Sequence, residues 1–260
     1  MAIDRQDGAQ LQQRLDILLQ QQRDLIAGLE RGQSYFQQLA RSVWRVQEEE
    51  RRRLARELHD GIGQNLTAIV RMLGDALSEF QSAGGAGRGR LEKACDLAES
   101  TLAETRALSR QLRPQILDDL GLPAALRWLA RTFSDSHALE VHLDLIEPPV
   151  SLQGDAAILV FRVVQEAMAN IAKHAQAHKV DIYLRYTGQR VILKIRDDGC
   201  GCDPAEALAT GSQGQGSGLG GVRDRVRLFG GECHIDSIPG GGFAVAIEFP
   251  FATAPAKRSS

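Results

Sequence analysis

Apolar residues spaced alternately three and four apart over residues 9–50 confine the N-terminal part of this chain to a helix with a single apolar seam. Leu11, Leu18, Leu25, Leu39 and Val46 fall seven or fourteen apart, and Leu15, Leu29, Phe36 and Val43 fill the alternate position. A narrow seam of this kind has to be covered by another helix, so the pattern predicts a parallel coiled coil. Gly28 and Gly32 lower helix propensity midway and Gln22 interrupts the seam, which leaves room for a break over residues 28–34.

The helical pattern continues through residue 59 to about Phe80. Residues 82–90 are too rich in glycine to stay helical cheaply. A second amphipathic helix runs from about Leu91 to Leu112, where Pro114 ends it. A two-helix hairpin has only a thin core, so two copies are expected to pair into a four-helix bundle, making the chain a homodimer. From about Leu122 the pattern changes. A short helix (123–133) precedes an alternating strand (139–145), and a long helix covers 155–175. Two strands carry Val180, Ile182, Leu184 and then Val191, Leu193, Ile195 in period two. A helix at 219–229 and a hairpin pairing 233–235 with 243–249 complete an α+β two-layer sandwich. The expected division is a helical signalling segment (1–44), a helical hairpin domain (45–113), the α+β domain (114–251) and a disordered tail (252–260).

Composition removes several alternatives. Of the 260 residues 43% are apolar and 25% charged, with a formal net charge of −2, so there is no strong electrostatic case for nucleic acid or anionic lipid. No run of 18 apolar residues and no signal-peptide core is present, so no membrane segment is expected in this chain. Cys95, Cys200, Cys202 and Cys233 have neither zinc nor thioredoxin spacing and read as reduced cytosolic thiols.

Three motifs in the C-terminal half form a candidate nucleotide site. On the long helix, Ala157, Phe161, Val164, Met168 and Ile171 make the apolar stripe, while Arg162, Glu166, Asn170, Lys173 and His174 make another face. Glu166 and Asn170 are stacked neighbours; an amide oxygen at Asn170 suits Mg²⁺, Glu166 can orient a metal-bound water or polarise the attack, and Lys173 can contact phosphate. Asp197 ends a strand and opens Asp197-Asp-Gly199-Cys-Gly201, where a carboxylate can accept a hydrogen bond from an adenine amino group and glycines admit a base to the backbone. Gly216-Ser-Gly218-Leu219-Gly220 leads into a helix and can present N–H groups to phosphates. Each glycine motif alone is weak, but their order on helix, strand end and loop–helix junction is specific. There is no phosphate loop of the Gly-x-x-x-x-Gly-Lys-Ser/Thr type and no protein-kinase motif set.

Upstream, His59 is followed at once by Asp60, with Gln64 four residues after Asp60 and therefore on its helical face. Neutral imidazole is a competent nucleophile near pH 7. Gly61 and Gly63 loosen the helix just after it. Residues 48–53 pair opposite charges at four-residue steps and read as a solvated face.

The segment Glu57-Leu-His59-Asp60-Gly-Ile-Gly-Gln64-Asn-Leu-Thr67 resembles the His-Asp-x-x-x-Gln phosphoacceptor motif of two-component sensor histidine kinases of the nitrate and membrane-fluidity sensor subgroup, and residues 112–122 resemble that subgroup's connector. Residues 166–175, 197–201 and 216–220 resemble the N, G1 and G2 boxes of the gyrase, Hsp90, histidine kinase and MutL ATP fold. The resemblance covers about residues 45–250. It implies that His59 accepts the γ-phosphoryl group of ATP, that Asp60 serves as base and that Gln64 positions water for dephosphorylating a partner. It further implies that Asn170 binds Mg²⁺, that Asp197 reads adenine, that Lys173, His174 and the glycines with Leu219 contact the nucleotide, and that no F box or long lid is needed. The implied partner is a response regulator with a receiver and a helix-turn-helix output domain. The expected location is the cytoplasm, either as a free protein or as the intracellular part of a longer membrane protein. Two rival readings stay open: a phosphatase-dominant regulator, and a non-catalytic dimeric scaffold with a relic nucleotide site.

Overall fold

The computed structural model describes residues 3–83, 88–112, 114–146, 152–187, 189–203 and 218–251. The chain divides into two compact units, residues 1–45 and 46–260.

The first unit belongs to helix α1 (Ile3–Arg56), which runs without interruption. The break allowed for at residues 28–34 is therefore absent. Each glycine costs about 1 kcal/mol relative to alanine, a penalty that a helix of this length absorbs because elongation adds a hydrogen bond per residue without a new nucleus. Leu18, Leu25, Leu29, Phe36, Leu39 and Val43 are each at least half exposed, so the seam is uncovered along a single chain.

In the second unit the helix passes into a π-helical stretch (Glu57–Gly63) and then α2 (Gln64–Ala83), against which α3 (Arg88–Leu112) packs to form the hairpin. Pro114, in extended conformation, ends this layer and caps a short α4 (Gln115–Asp119), an element absent from the sequence reading. Helix α5 (Gly121–His137) leads into a five-stranded sheet: β1 (Glu140–Leu145), β2 (Lys179–Thr187), β3 (Arg190–Asp197), β4 (Glu232–Ser237) and β5 (Phe243–Pro250). The order is β1-β2-β3-β5-β4. β1 and β2 are parallel because α6 (Gly154–Asn170) crosses between them; every other pair is antiparallel. Helix α7 (Leu219–Leu228) precedes β4. The long helix expected to reach residue 175 ends at Asn170 and finishes in a π turn (Ile171–Ala175).

Alternation in the strands becomes one buried face. Val180, Ile182, Leu184, Val191, Leu193, Ile195, Val245, Ile247 and Phe249 are all 2% exposed or less. The register aligns Ile182 with Ile195 and Val245, and Leu184 with Leu193 and Ile247, so like-sized side chains form continuous rows under the helices. Phe161 of α6 and Leu122 and Leu126 of α5 are equally buried. Truncating Phe161 to alanine removes a ring from this core and is expected to cost about 3–5 kcal/mol, measured as a fall in the denaturant midpoint. Among the described residues no helix is long and apolar enough to cross a membrane.

Candidate nucleotide and phosphoacceptor sites

The C-terminal end of α6, the π turn after it, the end of β3 and the start of α7 enclose a cavity of about 550 Å³, a volume in the range of small-molecule sites. Glu166, Asn170, Lys173, His174, Asp197, Gly201, Gly218 and Leu219 all line it. The π turn matters here: it carries Lys173 and His174, both exposed, around the cavity rim. Gly199 stands directly behind the wall, and Gly220 is buried within α7. Gly216 lies outside the described residues. Ile195, Phe243 and Val245 also line it and were not singled out from the sequence as site residues. Ile195 and Val245 looked only like core strand positions, since their alternation cannot tell the covered part of a sheet face from its open end.

Asp197 is the most constrained polar group in the cavity, 4% exposed. Its Oδ1 accepts the Gly199 N–H at 2.8 Å, while Oδ2 is buried with no protein partner. Burial pushes its pKa above the ordinary carboxylate value, opposed by N–H bonds from Gly199 and Phe243. A buried acceptor left open on a residue that lines a cavity is matched by a ligand donor such as an exocyclic amino group. The neighbouring Asp198 faces outward and accepts the Lys179 and His178 N–H groups, which hold its pKa below the usual value.

The glycines after Asp197 are required by close approach. A Cβ on Gly199 would overlap the Ala175 carbonyl, whose oxygen accepts the Cys200 N–H at 2.7 Å. Gly201 has φ +62° and a Cβ there would strike the Ile238 carbonyl. The Cys200 carbonyl accepts the Gly240 N–H at 2.6 Å, and Ser237 Oγ bridges the Cys202 N–H and the Gly242 carbonyl. The turn between β4 and β5, which the sequence offered only as a hairpin connector, thus clamps the loop that follows Asp197. Gly218, at φ +120°, starts α7, so this helix's N-terminus opens on the cavity. A purine amino group, phosphates and a hard cation at the Asn170 amide oxygen all find matching groups here. Among the described residues no cluster of three or more His, Cys, Asp or Glu could hold a metal ion.

His59 lies elsewhere, exposed, inside the π-helical stretch. In π register residues five apart share a face. His59 and Gln64 accordingly line one cavity of about 270 Å³, with Thr67 and, from α3, Thr105, Arg106 and Ser109, whereas Asp60 is exposed and outside that lining. The sequence had grouped Gln64 with Asp60; the π stretch brings it to His59. Ser109 Oγ donates to the Ala55 carbonyl at 3.0 Å and Arg106 reaches Thr67 Oγ1 at 3.4 Å, tying α3 to both sides of the stretch.

Residues 48–53 are not uniformly solvated. Arg53 does pair with Glu50 and Glu57 at the surface, but Glu48 is 3% exposed and bonds to Arg162, which is 6% exposed and not on an open helix face. A partner 114 residues away leaves no trace in local periodicity.

Residues 50–117 match the histidine kinase family, and residues 155–253 match the histidine kinase-, DNA gyrase B-, and HSP90-like ATPase family. The chain is 33% identical over 228 residues to the sensor histidine kinase MctS of Rhizobium johnstonii, covering 87% of this chain and 49% of that protein. It is 35% identical over 231 residues to the signal transduction histidine-protein kinase/phosphatase UhpB of Salmonella typhimurium, covering 88% and 45%. It is 30% identical over 214 residues to the sensor histidine kinase ComP of Bacillus subtilis, covering 81% and 27%. The chain therefore spans half or less of the length of these curated relatives.

Proposed function

The chain belongs to the histidine kinase family, and from that premise we propose that it is an ATP-dependent autokinase that loads His59 and passes the phosphoryl group to an aspartate of a response regulator. One observation carries the reading: a single chain holds an exposed imidazole on a π-helical stretch and, apart from it, a nucleotide-sized cavity with an open buried carboxylate oxygen. We assign residues 45–113 to the phosphoacceptor domain, 114–251 to ATP binding and 1–44 to a signalling segment.

In this reading Asp197 Oδ2 accepts the adenine amino hydrogen, while Gly199 and Gly201 keep side chains away from the base. The α7 N-terminus at Gly218 and Leu219, continuing into Gly220, faces the phosphates with its N–H groups. Asn170 supplies an oxygen to Mg²⁺, which neutralises developing phosphate charge when bound; Lys173 and His174 add cationic and donor groups at the rim. Glu166, one turn before Asn170, orients a metal-bound water. Transfer forms a bond between a His59 ring nitrogen and the γ-phosphorus as the bond to the ADP oxygen breaks, and Asp60 takes the imidazole proton. The uncovered α1 seam and the thin hairpin favour a homodimer. The acceptor is a regulator with a receiver and a helix-turn-helix output domain, and the cytoplasm supplies both it and ATP.

Gln64 in the same cavity as His59 favours a second activity, positioning water to release phosphate from the regulator. Comparing labelling rate with the rate of release from a phosphorylated receiver domain separates a kinase-dominant from a phosphatase-dominant protein.

Incubation with γ-labelled ATP and Mg²⁺ tests the proposal: label lost in acid and kept in base marks a phosphohistidine. Asn170→Ala is expected to slow labelling by roughly two orders of magnitude. Acid-stable label overturns the histidine assignment, and an undiminished rate in the variant overturns the Mg²⁺ assignment.

A further inference from the structure

We propose that Arg106 of α3 is the residue that binds the phosphoryl group once it is on His59, and so sets how much of the chain stays phosphorylated. The inference rests on the autokinase reading above and deepens it, because it assigns a binding residue for the product of that reaction.

Counting the donors around the His59 cavity isolates this side chain. Three hydroxyls line the cavity, and all three are already spent on backbone carbonyls. Thr67 Oγ1 donates to the Gly63 carbonyl at 2.7 Å, Thr105 Oγ1 to the Thr101 carbonyl at 2.8 Å and Ser109 Oγ to the Ala55 carbonyl at 3.0 Å. A hydroxyl has one hydrogen to give, so each of these presents only lone pairs to the cavity. Phosphoryl oxygens are acceptors as well, and such groups do not bind them. Two donors remain in the lining, the Gln64 amide and the Arg106 guanidinium. Arg106 is the lining residue with a fixed charge, and it is exposed. Among the described residues it pairs with no carboxylate. Its one contact there is from Nη2 to Thr67 Oγ1 at 3.4 Å, longer than an ordinary N–H···O bond. That contact crosses from α3 to α2 and keeps the guanidinium on the side of the hairpin that carries His59. Four of its five N–H donors are left open.

A cation without a counter-ion beside an imidazole has little to do until an anion arrives. A phosphoryl group on the ring brings about −1.5 to −2 charges and three strong acceptor oxygens. The planar guanidinium meets such oxygens with two parallel N–H bonds, a geometry that an ammonium cannot reproduce. Gln64, being neutral, can hold a water in the same cavity but supplies no charge. The interaction with Arg106 is made by phosphorylated His59 and not by the bare ring. It therefore favours ADP with phosphorylated chain over ATP with free chain. Stabilising one side of an equilibrium in this way moves its position and not only the rate of reaching it. The nucleotide cavity shares no lining residue with this one, so Arg106 acts on the acceptor alone.

The test brings the full chain to equilibrium with Mg²⁺ and γ-labelled ATP, at a ratio of ATP to ADP that leaves wild type partly phosphorylated. Arg106→Gln is expected to lower the ratio of phosphorylated to free chain roughly tenfold, the low end for a charge-assisted hydrogen bond, with nucleotide affinity unchanged. Arg106→Lys keeps the charge, loses the fork and is expected to fall between the two. An unchanged ratio overturns the proposal. So does a slower approach to the wild-type ratio, since the residue would then act on rate alone. A second readout needs no ATP. The chain is loaded with potassium phosphoramidate, and the phosphorus resonance of phosphorylated His59, assigned by its loss in His59→Ala, is titrated. The neighbouring cation favours the more charged form, so the second phosphoryl ionisation is expected at lower pH in wild type than in Arg106→Gln. Equal midpoints overturn the proposal. Should Arg106→Gln lose nucleotide affinity, the titration decides alone. No label from ATP in wild type, with nucleotide still bound, defeats the autokinase reading instead and leaves the phosphoramidate titration to judge Arg106.

Discussion

Replacing His59 by alanine should abolish phosphoryl incorporation and leave nucleotide affinity at its wild-type value. The first half follows from the proposed chemistry: the phosphoryl group is assigned to a ring nitrogen of this side chain, and no neighbouring group can replace it. Gln64, Thr67, Thr105 and Ser109, which share its cavity, offer amide and hydroxyl groups that are weak nucleophiles without an adjacent base. The second half follows from geometry. His59 is exposed and borders a cavity with no residue in common with the one around Asp197 and Asn170. Removing an exposed imidazole from a helix also costs little stability. The expected result is therefore a folded chain that binds ATP and carries no acid-labile label, read by γ-label incorporation beside equilibrium nucleotide binding. Residual acid-labile label in the variant would move the phosphoacceptor to another histidine. A matching loss of nucleotide affinity would join two sites that the fold keeps apart.

What the sequence made legible is what local spacing encodes. The period-two strands, the apolar stripe of α6 and the hairpin helices appear close to their expected places because burial on one face imposes that spacing. The residues grouped by motif also converge: Glu166, Asn170, Asp197, Gly201 and Gly218 meet in one cavity although they come from four elements. What stayed hidden depends on non-local or backbone-level events. The parallel pairing of β1 with β2 follows from the crossover through α6, which no single strand records. The π stretch at 57–63 moves Gln64 from the face of Asp60 to that of His59, and only its two glycines hinted at it. Glu48 looked like one more charge on a solvated face, and Arg162 like a member of the polar face of the nucleotide helix. Their burial arises because α1 and α6 meet there, and a contact 114 residues apart leaves no periodicity to read. The coiled-coil seam errs the other way: two glycines left room for a break, yet the helix runs on through both.

Asp197→Asn should lower ATP affinity by roughly 30- to 100-fold, the loss expected when a charged acceptor in a buried hydrogen bond is removed, while leaving the fold at least as stable at neutral pH. The geometry forces the affinity loss. Oδ1 accepts the Gly199 N–H, so in the variant the amide oxygen stays on that side and the NH₂ replaces Oδ2 toward the cavity. A donor then meets the adenine amino donor. A purine bearing a carbonyl at that position is correspondingly expected to lose less affinity, or to gain. The stability half follows from the direction of the pKa shift. Burial raises the Asp197 pKa above its unfolded value, so the protonated form is favoured in the folded chain. For such a group folding is most favourable below the unfolded pKa. That contribution is lost as pH rises through the folded pKa, so at neutral pH the carboxylate is present at a net cost. Asparagine carries no such cost, and thermal unfolding at pH 7 is expected at an equal or higher midpoint than wild type, with the difference vanishing in acid. A variant that loses both ATP affinity and stability would make Asp197 a structural anchor of the β3 loop. One that gains stability and loses ATP marks a carboxylate kept in the core, against its own solvation, for the ligand it reads.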